Sequence, residues 1–132
     1  MSLDVSLHDP TATYDTEELY HANITHNLNL MANNAGIYDA LWKPYRLLEG
    51  CSYTADRQEE EDFRQLNIDK VSADMITPTI EKGLDDMKKR PEYYKQFDSD
   101  NGWGIYDDFI PFIEKYLEAL KTYPKAIVTT CI

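Results

Sequence analysis

The sequence predicts an α+β fold, predominantly helical, with a small sheet formed by N-terminal strands and a C-terminal strand. Three observations carry that expectation. Residues 3–7 alternate, with Leu3, Val5 and Leu7 apolar and Asp4 and Ser6 polar, the period-two pattern of a strand buried on one face. After Pro124 comes a β-branched run containing Ile127, Val128, Thr129, Thr130 and Ile132. Between the two ends, apolar residues recur at helical spacing, most clearly at Phe109, Phe112, Ile113, Tyr116, Leu117 and Leu120, as a core-facing helix requires. Strands at both ends of a small chain commonly join in one sheet, with the helical middle packed on one of its faces.

Taken in order, the first strand stops at Asp9-Pro10. After the turn-rich stretch 9–16 a second strand is expected over 18–24. Asn27 reads as the N-cap of a helix carrying Leu28, Met31, Ala32 and Ala35, closed by Gly36 as a C-terminal glycine cap. A shorter helical segment, 37–42, ends before Pro44. Residues 49–70 hold the polar run Arg57 to Asp62 and then the alternating Leu66 and Ile68. That pattern favours a loop or exposed hairpin, a variable polar insertion within one domain spanning 1–132. From 72 to 89, Ile76, Ile80, Leu84 and Met87 form one stripe. Pro78 either kinks that helix or starts it, with Thr77 as cap. Pro91 opens a short helix to Phe97. The last helix takes Asp107 or Asp108 as N-cap, with Pro111 near its first turn.

At 132 residues, 42% of them hydrophobic and 12% aromatic, the chain supplies an ordinary core rather than a disordered one. Its net charge is −11, and residues 1–42 carry six carboxylates with no lysine or arginine. Such a balance repels phosphate backbones and anionic lipid, so direct nucleic-acid or membrane binding is not expected, whereas a basic protein partner is attracted. Acidity also serves plain solubility. Cys51 and Cys131 have no metal-ligand spacing. Two thiols without a framework, no apolar N-terminal leader and no run of membrane-spanning length point to a cytoplasmic protein.

Two polar clusters are the candidate sites. The first, 21–27, contains His21, Asn23, Thr25, His26 and Asn27. Two histidines suggest acid–base work or metal ligation, but in an extended chain His26 faces away from the other four, and no further ligand lies near in sequence, so no metal is assigned. A strand-to-helix junction with local side-chain bonds, or a pocket for an anion or small ligand at a helix start, uses the same residues. The second cluster, 98–108, includes Asn101-Gly102-Trp103-Gly104 and then Tyr106 and Asp107. A calcium loop is excluded by register: counted from Asp98 the glycine is fifth rather than sixth, and Phe109 stands where a bidentate glutamate belongs. Turn chemistry remains, with Trp103 either a core anchor for the loop, the reading its size favours, or the wall of a pocket. No nucleophile elbow, phosphate loop or dinucleotide fingerprint is present, and no cofactor is implied.

The stretch from Ala22 to Leu28, then Met31-Ala32, Ala35 to Tyr38 and Leu41 to Pro44, resembles an uncharacterised family of small bacterial and phage proteins. The run Asn101 to Asp107, with the helix after it and Tyr123-Pro124, and the helix carrying Gly83-Leu84 share that resemblance. It implies no established function. It does imply that the two clusters belong to one recurring design, with the second loop covering the junction of the first. The expected function is a non-catalytic binding or interaction module for a protein or small polar molecule. The alternatives are a small enzyme with His21 or His26 as acid–base, supported by Asn23 and Asp107, and a phage-type inhibitor of a host defence protein acting through its acidic surface.

Overall fold

In a computed structural model, described here over residues 2–11, 18–51 and 56–132, the chain opens with strand β1, Ser2–His8. Leu3, Val5 and Leu7 are fully buried, while Asp4 and Ser6 point to the opposite face, as alternation demands. Strand β2, Glu18–Thr25, pairs antiparallel with β1 from Ser2↔Thr25 to Leu7↔Tyr20, with an irregularity at Leu7/His8. Most of the turn-rich 9–16 stretch lies outside the described residues.

The chain then turns through a 3-10 segment, His26–Leu28, into α1, Asn29–Asn34, and α2, Tyr38–Trp42. Asn27 is not the cap expected of it. Thr25 holds the N-cap position, its hydroxyl accepting from the Asn27 N–H at 3.4 Å, which leaves the Asn27 side chain free for another partner. Gly36, at φ +75°, closes α1 as anticipated; there a left-handed residue lets the Ile37 N–H reach the Ala32 carbonyl and satisfies the helix end.

The segment expected as a loop or hairpin instead carries a ten-residue helix, α3, Arg57–Leu66. Residues 52–55 lie outside the described residues. The correction has a local cause. Asp56 caps the helix by accepting from the Glu59 N–H at 2.8 Å, and Gln58–Asp62, Arg64–Glu61 and Gln65–Glu61 bonds lie along its surface. Spacings of three and four make such a polar run self-supporting as a helix. Phe63 packs against the core, and Glu60 makes the polar tie to the body. Glu60 accepts from Arg46 at 2.7 Å and from the Tyr45 hydroxyl at 2.8 Å, and these partners, Arg46 first, hold its carboxyl below the ordinary glutamate value of 4.5. A depressed folded value means stability present above pH 4.5 and lost as pH falls through the folded value. Glu60→Gln should therefore cost about 1–3 kcal/mol at neutral pH. In urea titrations across pH, that difference should close on acidification; a difference constant down to acid would refute the assignment.

Helix α4, Ala73–Lys89, starts well before Pro78, so neither a start at Pro78 nor a cap at Thr77 holds. Ser72 is the N-cap residue, and the Thr77 hydroxyl donates back to the Ala73 carbonyl at 2.8 Å. Gly83 is fixed by space: a Cβ there would lie 2.1 Å from Ile37 Cγ2, so the glycine lets α4 approach the chain between α1 and α2. A short helix α5, Pro91–Lys95, precedes α6, Tyr106–Thr122, whose Phe109, Ile113, Tyr116 and Leu120 are fully buried. Strand β3, Ile127–Cys131, pairs antiparallel with β1, giving the order β2-β1-β3. Helices back one face: Tyr20 of β2 stacks on Tyr116 of α6 at 6.0 Å, and Thr130 of β3 donates to the Trp42 carbonyl at 3.2 Å. Burial pushes the Tyr116 hydroxyl upward in pKa, and among the described residues it has no hydrogen-bond partner.

Candidate functional site

The two polar clusters meet. The loop between α5 and α6 folds on itself: Ser99 N–H donates to the Gly104 carbonyl at 3.0 Å, and Gly102 N–H to the Ser99 carbonyl at 3.1 Å. Asn101 Oδ1 accepts from the Trp103 N–H at 2.9 Å and from the Ser99 hydroxyl at 2.6 Å. Asp98 accepts from the Tyr106 N–H at 2.7 Å, so the cap expected of Asp107 or Asp108 comes from eight residues upstream. Both of those aspartates occupy the first turn of α6 instead, where negative charge suits the helix start.

This folded loop lies on the end of β2. The freed Asn27 amide donates to the Trp103 carbonyl at 2.9 Å. Gly104, at φ +104°, approaches so closely that a Cβ would sit 2.9 Å from Asn27 Cβ and 3.3 Å from Thr25 Cγ2. Between loop and strand runs an open groove of about 640 Å³. Its strand wall is Ser2, Asn23, Ile24, Thr25, Asn27 and Leu28; its loop wall is Asn101, Gly102, Trp103, Gly104 and Asp108. Trp103 is 71% exposed. It is therefore not a core anchor: its carbonyl is tied down, and its indole stands in water at the rim.

Of the residues singled out from sequence, Asn23, Thr25, Asn27 and Trp103 line the groove, and His21, His26, Tyr106 and Asp107 do not. His26 turns to the core side, where its Nδ1 accepts from Trp42 Nε1 at 3.0 Å. That role places the ring proton on Nε2. Tyr106 is buried and donates to the Met87 carbonyl at 2.9 Å. Asp107 is exposed beside the groove without lining it.

His21 lies on the outer face of the sheet. Its Nδ1 is 3.0 Å from Ser6 Oγ and its Nε2 is 3.4 Å from Asp4 Oδ1. Asn23 Nδ2 donates to the same Asp4 oxygen at 2.9 Å and to Ser2 Oγ at 3.0 Å. Serine, histidine and aspartate in line have the residue types of a nucleophilic relay. Ser6, however, sits on the central strand, in register with His21 on one side and Thr129 on the other. The Ser6 backbone N–H is engaged in the ladder to β3 and that of Leu7 in the ladder to β2, so neither is left beside the hydroxyl for an oxyanion. Neither histidine converges with Asn23 and Asp107 on one concavity, which is the geometry that acid–base catalysis requires.

Ser2, Ile24, Leu28, Asn101, Gly102, Gly104 and Asp108 complete the groove without having been singled out as ligand contacts. The glycines carry a turn signal in the sequence; Ser2 enters only through strand register, which no local pattern encodes. A second, more charged cleft of about 420 Å³ lies between α3 and the end of β3, lined by Lys43, Arg57, Glu60, Glu61 and Arg64 among others. Its cations are largely committed, Arg64 to Glu61 at 2.7 Å and Lys43 to Glu60 at 4.0 Å. Among the described residues no group of three or more His, Cys, Asp or Glu is placed to hold a metal ion, and no helix is long and apolar enough to cross a membrane. Compared with family models, curated proteins and solved structures, the chain matches none of them.

Proposed function

We propose that the chain is a non-catalytic binding module whose ligand, a protein segment or a small polar molecule, seats in the groove between the end of β2 and the 98–105 loop. The observation that carries this reading is Trp103: a large aromatic left 71% exposed on a loop whose backbone is pinned at both ends. Exposed tryptophans on preorganised loops are the residues that dominate binding energies, because little freedom remains to be lost when a partner covers them. Asn23 and Asn27 supply polar walls, and neither histidine is poised as an acid–base over the groove. We place this activity in the cytoplasm, consistent with Cys51 and Cys131 both being free thiols.

The test is retention of ligands from a cell extract, read by native mass spectrometry and repeated with the purified ligand by calorimetry. Trp103→Ala should weaken the retained ligand by about 2 kcal/mol, roughly thirtyfold, with an unchanged unfolding midpoint. Equal binding by Trp103→Ala, or turnover of a metabolite that His21→Ala abolishes, would overturn the reading.

A further inference from the structure

The net charge is not spread over the chain. Residues 1–42 and 96–114 together hold eleven carboxylates and no lysine or arginine, which equals the whole net charge of −11; the other thirteen carboxylates are matched by thirteen basic residues. Those two segments are the ones that build the groove. Two of these carboxylates are paired across the fold, Asp39 with Arg46 and Glu114 with Lys88. Asp100, Asp107 and Asp108, however, are exposed on or beside the loop that carries Trp103 and have no ion-pair partner among the described residues, so uncompensated negative charge stands beside the indole.

The second observation is an open sheet edge. In the order β2-β1-β3, β2 has a neighbour on one side alone among the described residues. Val128 N–H donates to the Val71 carbonyl, so its polar groups face away from β1, and alternation turns those of Ile127, Thr129 and Cys131 toward it. On the other side of β1, register then pairs Leu3, Val5 and Leu7 with Ile24, Ala22 and Tyr20. The backbone N–H and C=O groups of His21 and Asn23 consequently point off the free edge, and both residues are exposed. Among the described residues no backbone hydrogen bond reaches them from another element. Sheet edges are usually blunted by lysine, proline or a bulge; from Tyr20 to Thr25 this one has none, and it runs into the groove beside Trp103.

We propose that this edge takes an extended, basic polypeptide segment, which adds as a fourth strand beside β2 and lays a lysine or arginine on the Trp103 indole. The proposal rests on the binding-module reading and names its partner class. Main-chain bonds at His21 and Asn23 supply the pairing, the exposed carboxylates of Asp100, Asp107 and Asp108 select the charge, and the indole face attracts a cation. A second copy of this chain is a poor occupant, because each would bring the same concentration of negative charge to the contact.

The experiment is selection of a displayed random-peptide library on the wild-type chain, followed by titration with the synthesised winners. Enriched peptides should be rich in lysine and arginine, and their affinity should fall about tenfold or more as salt is raised from about 50 to 300 mM. Amide exchange at His21 and Asn23 should slow on binding. Asn23→Pro removes an outward N–H and leaves the ladder to β1 intact, so it should weaken binding at least about tenfold. Should that variant fail to fold, the exchange measurement on the wild type decides. A neutral or acidic consensus, unprotected amides at His21 and Asn23, an empty selection, or a wild-type dimer paired through β2 would each overturn the proposal. If winners lose affinity on Trp103→Ala but show neither basic bias nor protection, strand addition fails and the binding-module reading stands. If they bind Trp103→Ala as tightly as wild type, that reading fails at this groove.

Discussion

Trp42→Ala should lower stability by about 3–5 kcal/mol, the range for removing a buried tryptophan. Trp42 is 1% exposed and stacks on Tyr38 at 5.3 Å. Its indole N–H donates to His26, and its carbonyl accepts from Thr130 of β3. One residue thus joins the 3-10 turn after β2, helix α2 and the C-terminal strand. Truncation opens a cavity and strips the His26 ring of its donor, so two penalties combine. Urea unfolding followed by far-UV circular dichroism measures the loss. Trp42→Phe should recover most of the packing but not the bond to His26, leaving a residual deficit of about 1 kcal/mol. A loss under about 1 kcal/mol for the alanine variant would mean that Trp42 does not hold these elements together.

The second large effect is expected at Gly104, where two causes coincide. Its φ of +104° is one that side chains rarely adopt, and a Cβ would press on Asn27 at 2.9 Å. Gly104→Ala should cost about 2–3 kcal/mol or detach the loop from β2. Gly102→Ala separates the causes, because Gly102 shares the positive φ, at +77°, but a Cβ there meets nothing within 4 Å. It should cost only about 1 kcal/mol. Comparing both midpoints, together with the emission maximum of Trp103, isolates the effect of close approach. Equal losses for the two variants would show that contact with Asn27 adds nothing.

The sheet was legible from sequence because its signals are local. Leu3, Val5 and Leu7 declare the buried face by alternation alone, and the run from Ile127 to Ile132 declares its partner by β-branching. Helix α6 declares itself by period. Helix α3 did not, because its residues carry no apolar stripe: its stability comes from Asp56 as cap and from side-chain pairs such as Arg64–Glu61, which look the same in a one-dimensional reading as a solvated charge run. The capping errors have a related cause. Asn27 and Asp107 have the right chemistry for the role, but Thr25 holds the first position and Ile105 the second, where Asp98 accepts from the Tyr106 N–H only because of how the 98–105 loop folds back.

For the site, residue type pointed to the two clusters and spacing argued against paired histidines. Which of those side chains share a space depended on strand register and on one long-range bond, from Asn27 to Trp103, across 76 positions. Trp103 itself was misjudged by its size. Large aromatics are usually buried, and nothing in Asn101-Gly102-Trp103-Gly104 distinguishes an indole facing inward from one facing out.

The central strand has neighbours at very different distances along the chain. β2 follows β1 after a short connection, whereas β3 begins more than a hundred residues later. The first pairing can form in microseconds once both strands exist. The second cannot begin until the helical middle has left the ribosome, which at about ten residues per second takes roughly ten seconds. Throughout that interval β1 has one bare edge and an apolar face of Leu3, Val5 and Leu7 still awaiting its helices. The hazard for this chain in the cell therefore lies in its birth more than in its folded state, and slow codons in the helical middle should lower soluble yield without changing the unfolding midpoint of the protein that survives.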